Sequence, residues 1–197
     1  MSISDPTPDD ILKFWFDEAG PKRWYKVSSG FDARVRRRFA RAVDRHARQI
    51  CDGEHPWLVE PEAALALVLL FDQFPRNIWR GSGRAFAYDA LARHVALDMV
   101  EHGFDWVIEP ERRDFIYMPF MHAESLEHQD LCIALAASRL EQDNTLHHAR
   151  KHREVIERFG RFPYRNAALG RDSTPEEGAY LSASTYQPGR KDSAKSA

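Results

Sequence analysis

The sequence predicts an all-α protein, a single compact domain of about seven to eight antiparallel helices. Three observations predict it. Apolar residues recur at three- and four-residue spacing along most of the chain, proline and glycine punctuate the gaps, and no segment alternates with a period of two for long enough to build a sheet. Short connections between such helices favour antiparallel neighbours.

The 197-residue chain suits one domain, long enough to bury roughly 70% of its unfolded surface. A hydrophobic content of 43% with 12% aromatics is that of a globular protein. Lys plus Arg is 28 against 30 for Asp plus Glu, so no overall field recruits nucleic acid or an anionic membrane. Cys51 and Cys132 are too few for a disulfide framework, and the N-terminus lacks the basic and apolar regions of a signal peptide. The longest fully apolar run, ending at Phe71, falls short of the ~20 residues that cross a bilayer. The expectation is a cytoplasmic protein without a nucleic-acid or membrane partner, and without a cofactor.

The elements follow in order. Thr7 caps a first helix with Pro8 at its first position; it runs to about Glu18, stops at Gly20-Pro21 and presents Ile11, Leu12, Phe14 and Trp15 inward. Trp24-Tyr25-Lys26 is expected in a loop. A second helix starts between Ser29 and Asp32 and reaches about Cys51, with Val35, Phe39, Ala42, Val43, His46 and Ile50 on one arc and six arginines from Arg34 to Arg48 opposite. The third, Pro61 to Phe74, is apolar on every side from Ala63 to Phe71 and is the expected buried rod, closed by Pro75. A fourth, about Asp89 to His102, turns Leu91, Val95 and Val100 inward. A short fifth begins at Glu109-Pro110-Glu111 and bends or ends at Pro119. The sixth spans Glu124 to Gln142, with Leu131 to Ala137 evenly apolar. Asn144-Thr145 caps the seventh, Leu146 to Phe159. Thr174, Pro175 and Glu177 form a capping box for a short last helix that gives out near Ser184. The domain is expected over 1–184, with 185–197 disordered because nothing there is worth burying.

At the end of the rod the chemistry changes abruptly. Asp72, Gln73, Arg76, Asn77, Arg80 and Arg84 follow the apolar run, with Trp79 among them. An acid in the last turn of a helix faces the negative end of its dipole, at a cost of about 0.3–1 kcal/mol, and the three arginines are its expected offset. The pattern echoes later: FDQFPRN at Phe71 to Asn77 and FGRFPYRN at Phe159 to Asn166 each place two aromatics, a proline, an arginine and an asparagine past a helix, with a glycine four residues after the asparagine. A repeat array is one explanation. Two corners converging on one site is another.

FDQFPRNIWRG (Phe71 to Gly81), YMPFMHAE (Tyr117 to Glu124) and HREVIERFGRFPYRN (His152 to Asn166), in this order and spacing, resemble an uncharacterised bacterial family known as domain of unknown function 924, over about Ile11 to Leu181. Ala123, Glu154 and Tyr164 depart from that family's usual serine, aspartate and histidine. The resemblance implies an all-helical fold placed among tetratricopeptide-like helical arrays, and no established activity.

Guanidinium groups present paired donors that match carboxylates and phosphates, so Arg76, Arg80, Arg84, Arg161 and Arg165 are candidate anion contacts. Trp79 is the aromatic expected against a ligand, Asn77 and Asn166 are amides that fix the corners, and Glu124 is a carboxylate near them. His152 falls in the middle of the seventh helix's inward arc; with His122 and Asp72 it makes a candidate set for general acid–base chemistry. No His-Glu-x-x-His spacing or paired cysteines point to a metal, and no Gly-x-Ser-x-Gly elbow to a serine hydrolase. The sequence therefore supports a protein of undetermined reaction that binds a small anionic molecule in an Arg/His/Asp-lined pocket. The alternative is a non-catalytic helical scaffold for a peptide or protein partner, and a third possibility is that both corners only hold the fold together.

Overall fold

The computed structural model describes residues 5–24, 26–53, 55–141 and 143–183; the tail expected to be disordered lies outside them. The described residues are helical and turn structure with no strand. The chain divides into two compact units, Met1–Pro119 and Phe120–Ala197.

In the first unit, Thr7 accepts from the Asp10 backbone while the Asp10 carboxylate returns to the Thr7 N–H, a reciprocal cap that starts Pro8–Leu12. That helix continues as a π-helical stretch, Lys13–Ala19, ended by Gly20. A further turn, Pro21–Trp24, takes in Trp24, which was expected in a loop with Tyr25 and Lys26; Lys26 is non-helical and Tyr25 lies outside the described residues. The Trp24 indole donates to the Trp15 carbonyl at 2.8 Å. The helix Ser29–Asp52 buries the predicted arc Val35, Phe39, Ala42, Val43, His46 and Ile50. Two of its arginines, Arg34 and Arg38, lie over the Phe14 ring at 5.1 and 4.7 Å, covering apolar surface with their guanidinium planes.

The rod is buried from Ala63 to Phe71, as its all-round apolar pattern requires. Its end differs from expectation. Pro75 does not stop the helix: Pro61–Val68 passes into a π-helical stretch, Leu69–Gln73, and then into Phe74–Ile78, in which Pro75 takes a first-turn position. A proline's missing N–H costs little in the first turn of a new segment, and the wider π register begins that segment within the same rod. Asp72 therefore lies inside a continuous helical path and is fully buried, not at a terminus. The true end at Ile78 has its carbonyl bonded by Arg36, whose Nε donates at 2.9 Å. In Asp89–Glu101 the buried face is Ala92, Val95, Ala96 and Met99, so Leu91 and Val100 are only half-buried. Pro110–Met121 runs through Pro119 without ending.

In the second unit, Leu126–Arg139 packs against Asp143–Phe159. The even apolar run in the former is buried on one side only, at Cys132, Leu135 and Ala136, while Ala134 and Ala137 face solvent. Alanine is tolerated there because exposing one methyl costs little. Thr145, expected as a cap, lies buried inside its helix, which begins earlier. The chain then turns through Pro163–Arg165 and Asn166–Leu169 to Pro175–Ser182, which opens on the predicted capping box, and Val155, Ile156, Phe162 and Tyr180 form a core between these elements.

Candidate functional site

The first corner is built on the π-helical stretch and the segment after it. Placed at i and i+4, Asp72 and Arg76 meet: an Arg76 Nη1 donates to the Asp72 carbonyl at 2.6 Å and lies 3.3 Å from its carboxylate. The same guanidinium forks onto Asp89 with bonds of 2.9 and 3.1 Å. Gln73 donates to the Asp72 carboxylate at 2.6 Å, and Asn77 donates to the Gln73 carbonyl at 3.0 Å. Arg80 forks onto Asp32, and Arg84 onto Asp44. Burial raises the Asp44 carboxyl, but hydrogen bonds from Tyr88 and Arg84 outweigh it and hold the group below its usual range. Trp79 stacks with Tyr88 at 5.6 Å and carries Arg84 at 4.1 Å over its ring. Each of the three arginines thus meets a carboxylate of its own unit.

The second corner gathers residues that lie far apart in sequence. His122 and His152 bring their ring centroids to 6.2 Å. His152 is buried in its helix, packs against Phe162 at 5.6 Å, and has Nδ1 at 2.8 Å from the His148 carbonyl, which makes that nitrogen the donor. Burial, then the proximity of His122, pushes its pKa down to about 3. Near neutrality it is an uncharged imidazole whose Nε2 has acceptor character. Arg165 is buried above the Phe162 ring and donates to the His122 carbonyl at 2.9 Å. Glu124 accepts from the Phe162 N–H and from Arg171. Arg161 forks onto Glu177 at 2.6 and 2.8 Å, and Asn166 donates to the same carboxylate at 3.2 Å. With the Thr174 N–H also donating to it, Glu177 is pushed down to about 2, chiefly by Arg161. The two glycines of the sequence echo, Gly81 and Gly170, both have positive φ, at 80° and 65°, a backbone region that favours glycine.

The candidates therefore divide between the units. Asp72, Arg76, Asn77, Trp79, Arg80 and Arg84 belong to the first, and His122, Glu124, His152, Arg161, Arg165 and Asn166 to the second. Within the second, His122, His152 and Arg165 come together. Asp89, Asp32, Asp44, Arg171 and Glu177 complete the bonding and were absent from the sequence candidates. They contact their partners across 13 to 48 residues, where no periodicity could signal them. Glu177 alone carried a signal, as the third residue of a capping box, and its second role on Arg161 was hidden behind the first. Among the described residues no group of three or more His, Cys, Asp or Glu is placed to hold a metal ion, and no helix is long and apolar enough to cross a membrane.

A sequence profile for bacterial proteins of unknown function, DUF924, matches residues 11–185. The chain belongs to this family. The DUF924 chain is also similar to a solved structure, a protein of unknown function, ATU0120, from Agrobacterium tumefaciens, at 42% identity over 89% of this chain and 96% of that one, with a TM-score of 0.81. A search of curated proteins returns no match. The all-helical fold is shared with that structure.

Proposed function

We propose that this DUF924 protein binds a small anionic molecule in its second unit, at the corner formed by His122, His152 and Arg165. The observation that carries the reading is the approach of two imidazoles to 6.2 Å beside a buried guanidinium. The positive charge of Arg165 favours an anion nearby and adds to the forces that keep His152 neutral. His152 then acts as a hydrogen-bonding group, and a proton-transfer step at this corner falls to His122. The first corner contributes less to this reading, because Arg76, Arg80 and Arg84 already hold carboxylates.

A thermal-shift screen of carboxylates and phosphates tests the proposal. A ligand present at a hundred times its Kd stabilises by about 2.7 kcal/mol, which for a chain of this size is a rise of roughly 5–10 °C. The rise is expected in the wild type and is expected to shrink in His122→Ala and Arg165→Lys. No compound raising the wild-type Tm, or an equal rise in both variants, refutes it. The second reading, a helical scaffold for a protein partner, draws on the adjacent Trp106 and Val107, which are 58% and 72% exposed. It predicts that Trp106→Ala abolishes partner binding and leaves small-molecule shifts unchanged.

A further inference from the structure

The helix Ser29–Asp52, in the first unit, carries six arginines on one narrow face. At 100° per residue, Arg34, Arg37, Arg38, Arg41, Arg45 and Arg48 fall within a single arc of about 100°, and every position on that arc between 34 and 48 is arginine. Such crowding is unfavourable by itself, because Arg34 with Arg38, Arg37 with Arg41 and Arg41 with Arg45 are like charges one turn apart. The fold relieves little of it. Arg38 pairs with Glu18 and Arg45 with Asp5. Asp44, at the edge of the arc, is held by Arg84 and Tyr88 instead.

Arg37, Arg41 and Arg48 are exposed and make no hydrogen bond or ion pair among the described residues. Arg34 is half-buried over the Phe14 and Phe31 rings, at 5.1 and 5.6 Å, yet its Nε and Nη2 are buried without a hydrogen-bond partner among those residues. A guanidinium desolvated in this way lacks the acceptor that would offset the cost. Unfavourable local choices that no packing compensates concentrate at functional surfaces.

We propose that this ridge docks an acidic α-helix of a partner protein. Arg34, Arg41 and Arg48 recur every seven residues, as do Arg38 and Arg45. Seven residues fall about 20° short of two full turns, so each row runs nearly along the helix axis in steps of about 10.5 Å. Carboxylates seven residues apart on a second helix laid alongside repeat at the same step, and those at four-residue spacing reach the second row. Arginine offers each of them a paired donor geometry. Duplex nucleic acid fits less well, because the phosphates of each strand wind away from a straight row. Setting the six arginines aside also leaves 22 of the 28 Lys and Arg against 30 Asp and Glu, so the remainder of the chain repels a polyanion that extends past the ridge. The ridge shares no residue with the His122–His152 corner or with Trp106 and Val107, and it stands or falls apart from both.

Fluorescence anisotropy of the full chain with a labelled synthetic peptide tests this. The probe is a hydrocarbon-stapled helix of about 21 residues, roughly twice the length needed to span two seven-residue steps at 1.5 Å each, with its glutamates on one face at four- and seven-residue spacing. A control peptide has the same composition with the glutamates spread around the helix, and a DNA duplex of equal charge is the third probe. Saturable binding of the one-faced peptide is expected, weakened severalfold when salt rises from about 50 to about 300 mM. Replacing the three unpaired arginines together, in Arg37→Gln, Arg41→Gln, Arg48→Gln, should weaken it about tenfold with Tm unchanged or raised, since like-charge repulsion is removed. The proposal is overturned by failure of the one-faced peptide to bind, by equal binding of the control peptide, by tighter binding of the duplex, or by undiminished binding in the triple variant. A fall in Tm in that variant would give the ridge a structural task and overturn it as well.

Discussion

His152 makes the stability of this protein depend on pH in a direction and amount that the structure sets. In the unfolded chain its imidazole titrates near 6.5, and in the fold it is pushed down to about 3. Below pH 6.5 the unfolded state binds a proton that the native state refuses, so stability falls as pH falls, and the loss saturates only near the native value. Taking those two values, the loss between about pH 7.5 and about pH 5 is about 2 kcal/mol from this residue alone, a substantial share of a typical total of about 5–15 kcal/mol. Urea denaturation followed by tryptophan fluorescence at both pH values measures it. His152→Gln is expected to be less stable near neutrality, since the bond to the His148 carbonyl and the packing on Phe162 are altered. Its further loss on acidification should be smaller than that of the wild type by about the same 2 kcal/mol. If the two proteins lose equal stability over that interval, His152 is not held neutral by burial and the account of the second corner is wrong.

Other consequences are open to the same measurements. Glu177 has the opposite sign: its stabilisation is present above about pH 4.5 and is lost as pH falls toward about 2, so Glu177→Gln should lower Tm at neutrality and flatten the acid limb of the Tm–pH curve. Asp89→Asn removes a forked partner of Arg76 and should cost about 1–3 kcal/mol in chemical denaturation. Gln129, fully buried, donates to the carbonyls of Met121 and Ala123 at 2.6 and 2.8 Å; Gln129→Leu strands both and should cost about 1–3 kcal/mol in chemical denaturation. Thr7→Ala breaks the first cap and should cost about 1 kcal/mol, with amide exchange accelerated chiefly in the first helical turns.

What could be read directly from the chain was whatever depends on neighbours in sequence. The buried arc of Ser29–Asp52, the all-round burial of Ala63 to Phe71, the cap at Thr7 and the capping box at Thr174 follow from spacing alone, because a helix turns three- and four-residue intervals into faces and its ends need nearby side-chain acceptors. The repeated Phe-Pro-Arg-Asn motif was visible, but its two copies fold differently, the first inside a continuous helical path and the second through a 3-10 turn. The passage of the rod through Pro75 was not legible, since a π register is a response to packing that no local pattern announces. Nor was the fate of the arginines. In sequence they read either as offsets for Asp72 or as anion contacts, and only the tertiary structure brought Asp32 to Arg80, Asp44 to Arg84 and Glu177 to Arg161. The same holds for the imidazoles: sequence supplied His122 and His152 as candidates, but the fold brought them to 6.2 Å and made His152 a neutral group, because desolvation depends on everything that surrounds a side chain and not on what precedes it.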